Sequence, residues 1–302
     1  MNKNKKYVIL SIVSLIVGIA VLFYPATNNV IFVTQQNKII NSYNEQIKEL
    51  EETEIEQLKV DAESYNQKLS DAALTEKDLS AVSGNPPYSE LLSLTNEQMG
   101  YIVIPKISLN QPIYHSTSDE VLERGIGHME NTSLPIGGES THCVLSGHSG
   151  IPGMMLFTDL EDMQIGEKFY IKTLDDTLAY QIDQIKVVLP NDTSDIQIVQ
   201  GEDYVTLLTC TPYGVNTHRL LVRGTRVDYN GEIDETKEEE VAEHSTSDEI
   251  NTTEKNSKFS FKFILYYVII PSIISAILIT IFVILLKRKL RKIKKLQEEK
   301  CE

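Results

Sequence analysis

The residue with the most distinctive chemistry is Cys210, which ends an apolar run and is followed by Pro212 and Gly214. Proline and glycine turn the chain, so we expect the thiol at the accessible end of a strand. A cysteine attacks carbonyl carbons as its thiolate, and a neighbouring imidazole helps to form it. His148 lies in the run Leu-Ser-Gly-His-Ser-Gly, where the glycines leave space around the ring. Together, the two side chains favour acyl transfer through a thioester.

A third candidate is Arg219, which follows Cys210 by nine residues and begins the next apolar run. A short hairpin would return it beside the cysteine, where a guanidinium can stabilise a thiolate or an oxyanion. We therefore predict a site of Cys210 (nucleophile), His148 (general acid and base) and Arg219. Each residue also has a plainer interpretation, as a buried thiol, a structural imidazole and a surface charge. The spacing alone leaves those interpretations open.

A zinc site is the main alternative chemistry in this region. The candidate ligands would be His142, Cys143, His148, Cys210 and His218. His142 and Cys143 are strand neighbours, however, whose side chains point to opposite faces, and no CxxC or HExxH motif is present. We predict no metal and no cofactor. A disulfide between Cys143 and Cys210 is a further alternative, which would disable the nucleophile.

The elements that position these residues are predicted within residues 99–227. Short runs of β-branched and aromatic residues alternate there with turn signals, as in residues 101–104, 143–146, 168–171 and 204–208. This texture indicates a mainly β fold, a barrel or sandwich of about 130 residues.

Upstream, residues 25–98 are predicted to form a helical and lid region. Apolar side chains recur at spacings of three and four within residues 36–70, at Ile40, Tyr43, Ile47 and Leu50. This spacing predicts one apolar stripe on a helix. Residues 71–98 are predicted to be irregular.

The two ends of the chain predict membrane attachment. Residues 7–24 and 263–286 contain no charged side chain, and a helix of about 24 residues spans a bilayer core of about 30 Å. The basic flanks, residues 1–6 and 287–302, place both termini in the cytoplasm by the positive-inside rule. Residues 25–262 then lie outside the cell, with 228–262 as an acidic tether. We predict an uncleaved anchor at 7–24; a cleaved signal peptide is the alternative.

Composition excludes two broad classes. The 302-residue chain carries a net charge of −15, which argues against nucleic acid as a partner. Three cysteines are too few for a disulfide scaffold. The lipid bilayer is the partner that the sequence predicts directly.

Several motifs resemble those of one enzyme family. The run TLLTCTPYGVNTHRLLVRG (206–224) resembles the signature of sortases, particularly the pilus-building class C enzymes. The run LSGHSG (145–150) resembles their catalytic-histidine loop, and the likeness extends over about residues 80–227. The resemblance implies a closed sortase-like β-barrel with an N-terminal helical and lid segment. A membrane helix on each side of the barrel is also typical of class C.

The resemblance also implies roles for the three residues. Cys210 would attack the Thr–Gly carbonyl of a Leu-Pro-x-Thr-Gly-like sorting signal, and His148 would protonate the leaving amine. Arg219 would orient the signal and stabilise the oxyanion. A lysine amine of another pilin would then resolve the thioester, so the implied partners are pilin subunits that carry a C-terminal sorting signal. Residues 190–203 are a candidate specificity loop on the same grounds.

The chain departs from the class C pattern in the lid. Such lids usually carry an Asp-Pro-aromatic motif, whereas residues 70–78 here contain Asp71 with neither proline nor an aromatic residue beside it. We expect a loosely held or open lid with Asp71 as its contact. The alternative functions are a cell-wall-anchoring sortase, a cysteine peptidase using the same site, and a non-catalytic tethered receptor.

Overall fold

A computed structural model describes residues 3–75, 78, 82, 85–94, 97–151, 153–154 and 156–233 of the chain. Eight strands close into a barrel in the order β1-β2-β3-β4-β7-β8-β6-β5, so the predicted β-barrel is confirmed. The strands are β1 (Gln98–Ile104), β2 (Leu109–His115), β3 (Ile126–His128), β4 (Thr141–Ser146), β5 (Lys168–Thr173), β6 (Asp176–Val188), β7 (Asp203–Thr211) and β8 (His218–Val227). The β2–β3 and β4–β7 pairs are parallel.

Side-chain alternation along β7 separates the core from the outer face of the barrel. Val205 and Leu207 are fully buried in the core. Their partners on β4 are Cys143 and Leu145, which lie in the same cluster. Because successive strand residues point to opposite faces, Cys210 lies on the outer face.

The helical region consists of two helices, whereas the sequence predicted a single stripe over residues 36–70. The first helix, α1 (Lys3–Glu49), ends just before α2 (Glu52–Leu74) begins. Glu51 caps α2 in a capping box, in which its backbone N–H donates to the Glu54 carboxylate at 3.0 Å. This local exchange of hydrogen bonds satisfies the first N–H groups of α2 and starts a new helix there. A four-residue helix, α3 (Asp119–Leu122), lies between β2 and β3.

The apolar stripe of α1 packs on the barrel. Ile40 and Tyr43 are buried against Tyr101. The Tyr43 hydroxyl donates to the Met99 carbonyl at 3.1 Å and accepts from the Leu174 N–H at 2.8 Å. It therefore bridges the start of β1 and the turn after β5, and its burial raises the pKa of the phenol.

Helix α2 is joined to the barrel by paired hydrogen bonds and an ion pair. The buried Asn66 amide donates to the Leu134 carbonyl at 3.2 Å and accepts from the Leu134 N–H at 2.7 Å. Lys59 lies 2.7 Å from the carboxylates of both Asp175 and Asp176. These contacts fix α2 across the chain that leads into β4 and across the β5–β6 turn.

The described residues from 31 to 233 belong to one compact unit, and residues 3–30 of α1 belong to another. Within the described residues, no helix combines the length and apolar character that a membrane crossing requires. The second predicted membrane segment, residues 263–286, lies outside the described residues, as does most of the predicted tether. Both membrane segments stay predictions.

Candidate active site

Cys210 and Arg219 face each other across neighbouring strands. Cys210 lies next to the end of β7, and its partner in the antiparallel register is Arg219, the second residue of β8. Directly opposed residues point to the same face, with Cβ atoms about 5 Å apart. Both side chains are half-buried. The hairpin return that the sequence predicted for Arg219 is therefore present.

His148 reaches the same end of the barrel from the other side of β7. Strands β4 and β7 run parallel, and Ser146 is level with Leu208. The ladder continues one residue further, because the Gly147 N–H donates to the Leu208 carbonyl at 3.1 Å. His148 follows directly and is half-buried. The structure thus places His148, two residues beyond β4, at the same end of the barrel as Cys210 on β7 and Arg219 on β8.

Close packing positions the segment that carries His148. A Cβ atom on Gly147 would lie 2.8 Å from side-chain carbons of both Ile126 and Phe157, so only glycine fits. The Phe157 N–H donates to the His148 carbonyl at 3.0 Å and fixes the backbone at the histidine. On its far side, Gly150 adopts a φ of +80° against the Tyr213 ring. A side chain at position 147 would clash with its neighbours, and position 150 needs a backbone conformation that favours glycine.

The Arg219 guanidinium is held beside the β7–β8 turn. Its Nη1 donates to the carbonyls of Asn216 at 3.3 Å and His218 at 3.1 Å. Asn216 itself adopts a left-handed φ of +60°, which lets the turn close tightly. A guanidinium carries five N–H donors in a planar fork. Anchoring through Nη1 limits the positions that the fork can take next to Cys210.

The β6–β7 connection folds back over the outer face of the sheet. Asp195 pairs with Lys186 and accepts from Gln184, both on β6. Gln197 contributes its carbonyl as acceptor for the Nδ1–H of His142 at 2.8 Å, while Thr206 donates to Nε2 at 2.8 Å. Burial lowers the pKa of His142 to about 4. The neutral ring therefore anchors residues 190–203, the candidate specificity loop.

A cavity of about 170 Å³ lies beside this connection. It is bounded by residues 129–132, by residues 193–198 and by His142. Both ring nitrogens of His142 are engaged in hydrogen bonds, as described above. Within the described part of the chain, no group of three His, Cys, Asp or Glu side chains is arranged to hold a metal.

Both described cysteines are free thiols, so the Cys143–Cys210 disulfide is absent. Cys143 pairs with Val205, five residues before Cys210 on the same strand, and it points into the core. Burial raises the pKa of the Cys143 thiol well above its ordinary value. It is therefore a small buried apolar residue, as expected for a cysteine within a strand.

Asp71 is not brought to the site. It lies in the last turns of α2, where its exposed carboxylate accepts a hydrogen bond from Gln67 at 2.9 Å. The sequence placed Asp71 in an irregular lid, but α2 extends to Leu74 because the helix continues to bury Leu69 and Ala72. Most of the residues between α2 and Asn85 lie outside those described.

The segment that precedes β1 packs on the barrel through a buried cluster of aromatic and imidazole rings. The Tyr88 hydroxyl contacts His128 Nδ1 at 2.9 Å and accepts from the Ser116 N–H at 3.0 Å. His115 lies edge-on to the same ring and contacts the Leu91 carbonyl at 2.8 Å. Burial lowers the pKa of His128 to about 4. Both imidazoles are therefore held by contacts with the surrounding backbone and the Tyr88 ring, which is a structural role.

One contact at the site has no counterpart in the sequence-based prediction. The Ser149 hydroxyl donates to the Cys210 carbonyl at 2.7 Å. Adjacency to His148 is the only sequence signal for Ser149. The contact depends on the parallel register of β4 and β7, which the spacing of residues along the chain does not reveal.

Comparison with known proteins shows the family to which this fold belongs. The family model "Sortase domain" matches residues 102–227. Sortase C1 of GBS pilus island 1 is 43% identical with a TM-score of 0.59, over 63% of this chain and 97% of that one. Sortase C of Streptococcus pneumoniae is 41% identical with a TM-score of 0.57, over 64% and 97%. Sortase A of Streptococcus agalactiae is 28% identical over 242 residues, which are 78% of this chain and 88% of that protein.

The two solved neighbours are class C enzymes. The chain is a member of the sortase family of cysteine transpeptidases.

Proposed function

We propose that this sortase polymerises pilins, by cleaving a Leu-Pro-x-Thr-Gly-like signal between Thr and Gly and joining the new acyl group to a lysine of another pilin. The observation that carries the proposal is the pairing of Cys210 with Arg219 in the β7–β8 register, with His148 on the adjacent strand end. The similarity to a sortase C1 that belongs to a pilus island supports the choice of pilin as substrate.

In the first half-reaction, the Cys210 thiolate attacks the Thr carbonyl carbon and forms a tetrahedral oxyanion. Arg219, opposite the nucleophile, donates hydrogen bonds to that developing charge. The intermediate collapses to a thioester when the C–N bond breaks, and His148 gives its proton to the departing glycine amine.

In the second half-reaction, the lysine amine attacks the thioester carbonyl. His148 accepts the proton of that amine, the C–S bond breaks and the Cys210 thiolate is restored. Over both half-reactions, the products are two pilins joined by an isopeptide bond and the released peptide whose N-terminal residue is glycine. Transfer to an amine rather than to water requires an acceptor that is bound next to a shielded thioester.

Product analysis distinguishes pilin polymerisation from the alternatives. The purified full-length protein in detergent is incubated with a pilin that carries a sorting signal, and products are separated and sequenced by mass spectrometry. Lysine-linked oligomers support the proposal. Cleaved monomers alone indicate a peptidase, and transfer only to a cell-wall amine indicates an anchoring sortase.

A matched pair of cysteine variants tests the nucleophile in that assay. Cys210→Ala abolishes both cleavage and oligomers, whereas Cys143→Ala, which removes a buried core thiol, retains them when assayed below its unfolding temperature. Activity of Cys210→Ala equal to that of the unaltered protein would assign the nucleophile to another residue. If the unaltered protein itself gives neither cleavage nor oligomers, the non-catalytic receptor is the surviving interpretation.

We also propose a two-pass membrane location with the barrel outside the cell. The uncharged segments 7–24 and 263–286 and their basic flanks support it. A membrane-impermeant maleimide applied to intact cells then labels Cys210 but not Cys301 until the cells are opened. Labelling of Cys301 in intact cells contradicts the topology.

The lid is proposed to be loosely held. Support comes from Asp71, which has no adjacent proline or aromatic residue and bonds within α2. A solved structure of a lid mutant exists for the similar Streptococcus agalactiae sortase C1. Deleting residues 76–84, which spares the buried Leu69 of α2, should leave the acyl-transfer rate unchanged. A large gain in rate would show that this segment closes the site.

A further inference from the structure

Two side-chain hydroxyl groups join the end of β7 to the segment that carries His148, and a third joins it to Glu161. Thr209 and Thr211 flank Cys210 and point to the opposite face of the strand, while Ser149 follows His148. Thr209, Ser149 and Thr211 donate respectively to the Gly147 carbonyl, the Cys210 carbonyl and the Glu161 carboxylate, each at 2.7 Å.

The Ser149 bond occupies a position that belongs to a strand ladder. Since Gly147 N–H donates to the Leu208 carbonyl, a parallel ladder continued by two residues would have the Ser149 N–H donate to the Cys210 carbonyl. Strand β4, however, ends at Ser146, and the Ser149 hydroxyl donates to that carbonyl instead. The chain can therefore leave the sheet at His148 and remain attached to β7.

We propose that Ser149 is a positioning residue, whose bond to the Cys210 carbonyl sets the distance between the His148 imidazole and the Cys210 thiol. The inference rests on the proposed function, since it assumes that these two groups react together. Ser149 is next to the imidazole in sequence, and its acceptor belongs to the nucleophile itself. A single hydrogen bond thus joins the side chain of the residue after His148 to the backbone of Cys210.

The consequence of losing this bond is a displaced histidine rather than an unfolded barrel. The Ser149 side chain is half-buried at the rim, whereas Thr209 is 1% exposed and serves the interior. The Gly147 and Phe157 bonds still hold the segment to the barrel. A displacement of about 1 Å between reacting groups can lower a rate by about 100-fold.

The test compares four variants of the full-length protein in detergent: Ser149→Ala, Ser149→Thr, Ser149→Val and Thr158→Ala. Threonine keeps the hydroxyl and valine replaces it with a methyl group of the same size. The Thr158 hydroxyl accepts from the Gly150 N–H in the same segment and makes no bond to β7. It therefore controls for the loss of any hydroxyl near His148.

Two measurements are made on each variant. Cleavage of a sorting peptide gives kcat and KM, and alkylation of Cys210 by iodoacetamide is followed as a function of pH. For Ser149→Ala and Ser149→Val we expect kcat to fall about 10- to 100-fold with KM nearly unchanged, together with an altered alkylation profile. Ser149→Thr and Thr158→Ala should resemble the unaltered protein in both measurements.

Several results overturn the inference. They are a normal kcat in Ser149→Ala, equal losses in the threonine and valine variants, or an equal loss in Thr158→Ala. If Ser149→Ala fails to fold, the comparison of threonine with valine decides the question alone. Failure of the proposed function is recognised separately, because Cys210→Ala would then cleave the peptide as well as the unaltered protein.

Discussion

Cys210 and Arg219 are directly opposed residues on the antiparallel strands β7 and β8. The pairing fixes a cation on the same sheet face as the thiol, and the Arg219 Nη1 bonds to the Asn216 and His218 carbonyls restrain it there. Because the two residues are held by a strand ladder rather than by loops, the geometry is set before a substrate binds.

Replacing Arg219 tests the role of this cation. We expect Arg219→Ala to lower kcat/KM for peptide cleavage by about 10²–10³-fold, as the loss of an oxyanion donor does. Arg219→Lys should restore part of the rate, since it keeps the charge without the fork. Peptide cleavage kinetics measure both.

Arg223 is the matched control for Arg219. It lies on the same face of β8, where it pairs with Asp183 and stacks at 4.1 Å over the Tyr204 ring. Arg223→Ala should reduce stability and leave kcat/KM unchanged. Equal rate losses in both arginine variants would remove the special role of position 219.

His148→Ala should lower kcat by about 10²–10⁴-fold, the range typical of a lost general acid and base. His218→Ala is the comparison, because His218 pairs with Thr211 and so points to the face opposite Cys210, and its backbone carbonyl remains available to Arg219. Rapid-quench measurement of thioester formation and decay follows each half-reaction. Normal rates in His148→Ala would assign the proton transfers to another group.

Asn66 should be important for stability. Its side chain satisfies both backbone groups of Leu134 in a buried contact. Asn66→Ala leaves the Leu134 N–H without a partner, at about 1–3 kcal/mol for a buried group, whereas the Leu134 carbonyl still accepts from the Ile136 N–H at 2.8 Å. Urea unfolding measures the change, with the exposed Gln57→Ala on the same helix as control. A change no larger than that of the control would show that α2 docks through other contacts.

The buried histidines predict a loss of stability in mild acid. Burial lowers the pKa values of His128 and His142 to about 4, whereas an unfolded histidine titrates near about 6.5. Between these values the unfolded chain binds protons that the folded chain does not, so the free energy of unfolding decreases as the pH falls. When the pH has fallen below both pKa values, each histidine has lowered the free energy of unfolding by about 3 kcal/mol.

Unfolding free energies at several pH values between 7.5 and 5 measure this effect. His142→Gln, which can still donate to Gln197, should have a shallower pH dependence than the unaltered protein. A free energy of unfolding that stays constant over this range would show that both imidazoles bind protons equally well in the folded and the unfolded chain.

Short-range patterns predicted most of the fold. The apolar stripe at Ile40 and Tyr43 and the strand containing Cys210 follow from side-chain periodicity, and Arg219 follows from a hairpin closed by nearby turn residues. The break between α1 and α2 was missed because it depends on one capping box at Glu51, within a sequence that is otherwise favourable for helix.

Long-range register was harder to predict. Strands β4 and β7 are neighbours because the two strands that separate them in the sequence, β5 and β6, lie on the other side of β8 in the barrel. This arrangement puts His148 beside Cys210 along the barrel axis. The Ser149 contact depends on the same arrangement. The family resemblance indicated the histidine, but residue spacing alone contains no information about which strands become neighbours.

The central claim is that the Cys210 sulfur forms a thioester with the sorting signal. The most direct measurement is mass spectrometry of the full-length protein after incubation with a sorting peptide and no amine acceptor. We predict an adduct equal to the peptide up to its threonine, located on Cys210 and released by an added amine as an isopeptide product. An adduct on another residue, or release of cleaved peptide with no adduct in either the unaltered protein or His148→Ala, would contradict the account.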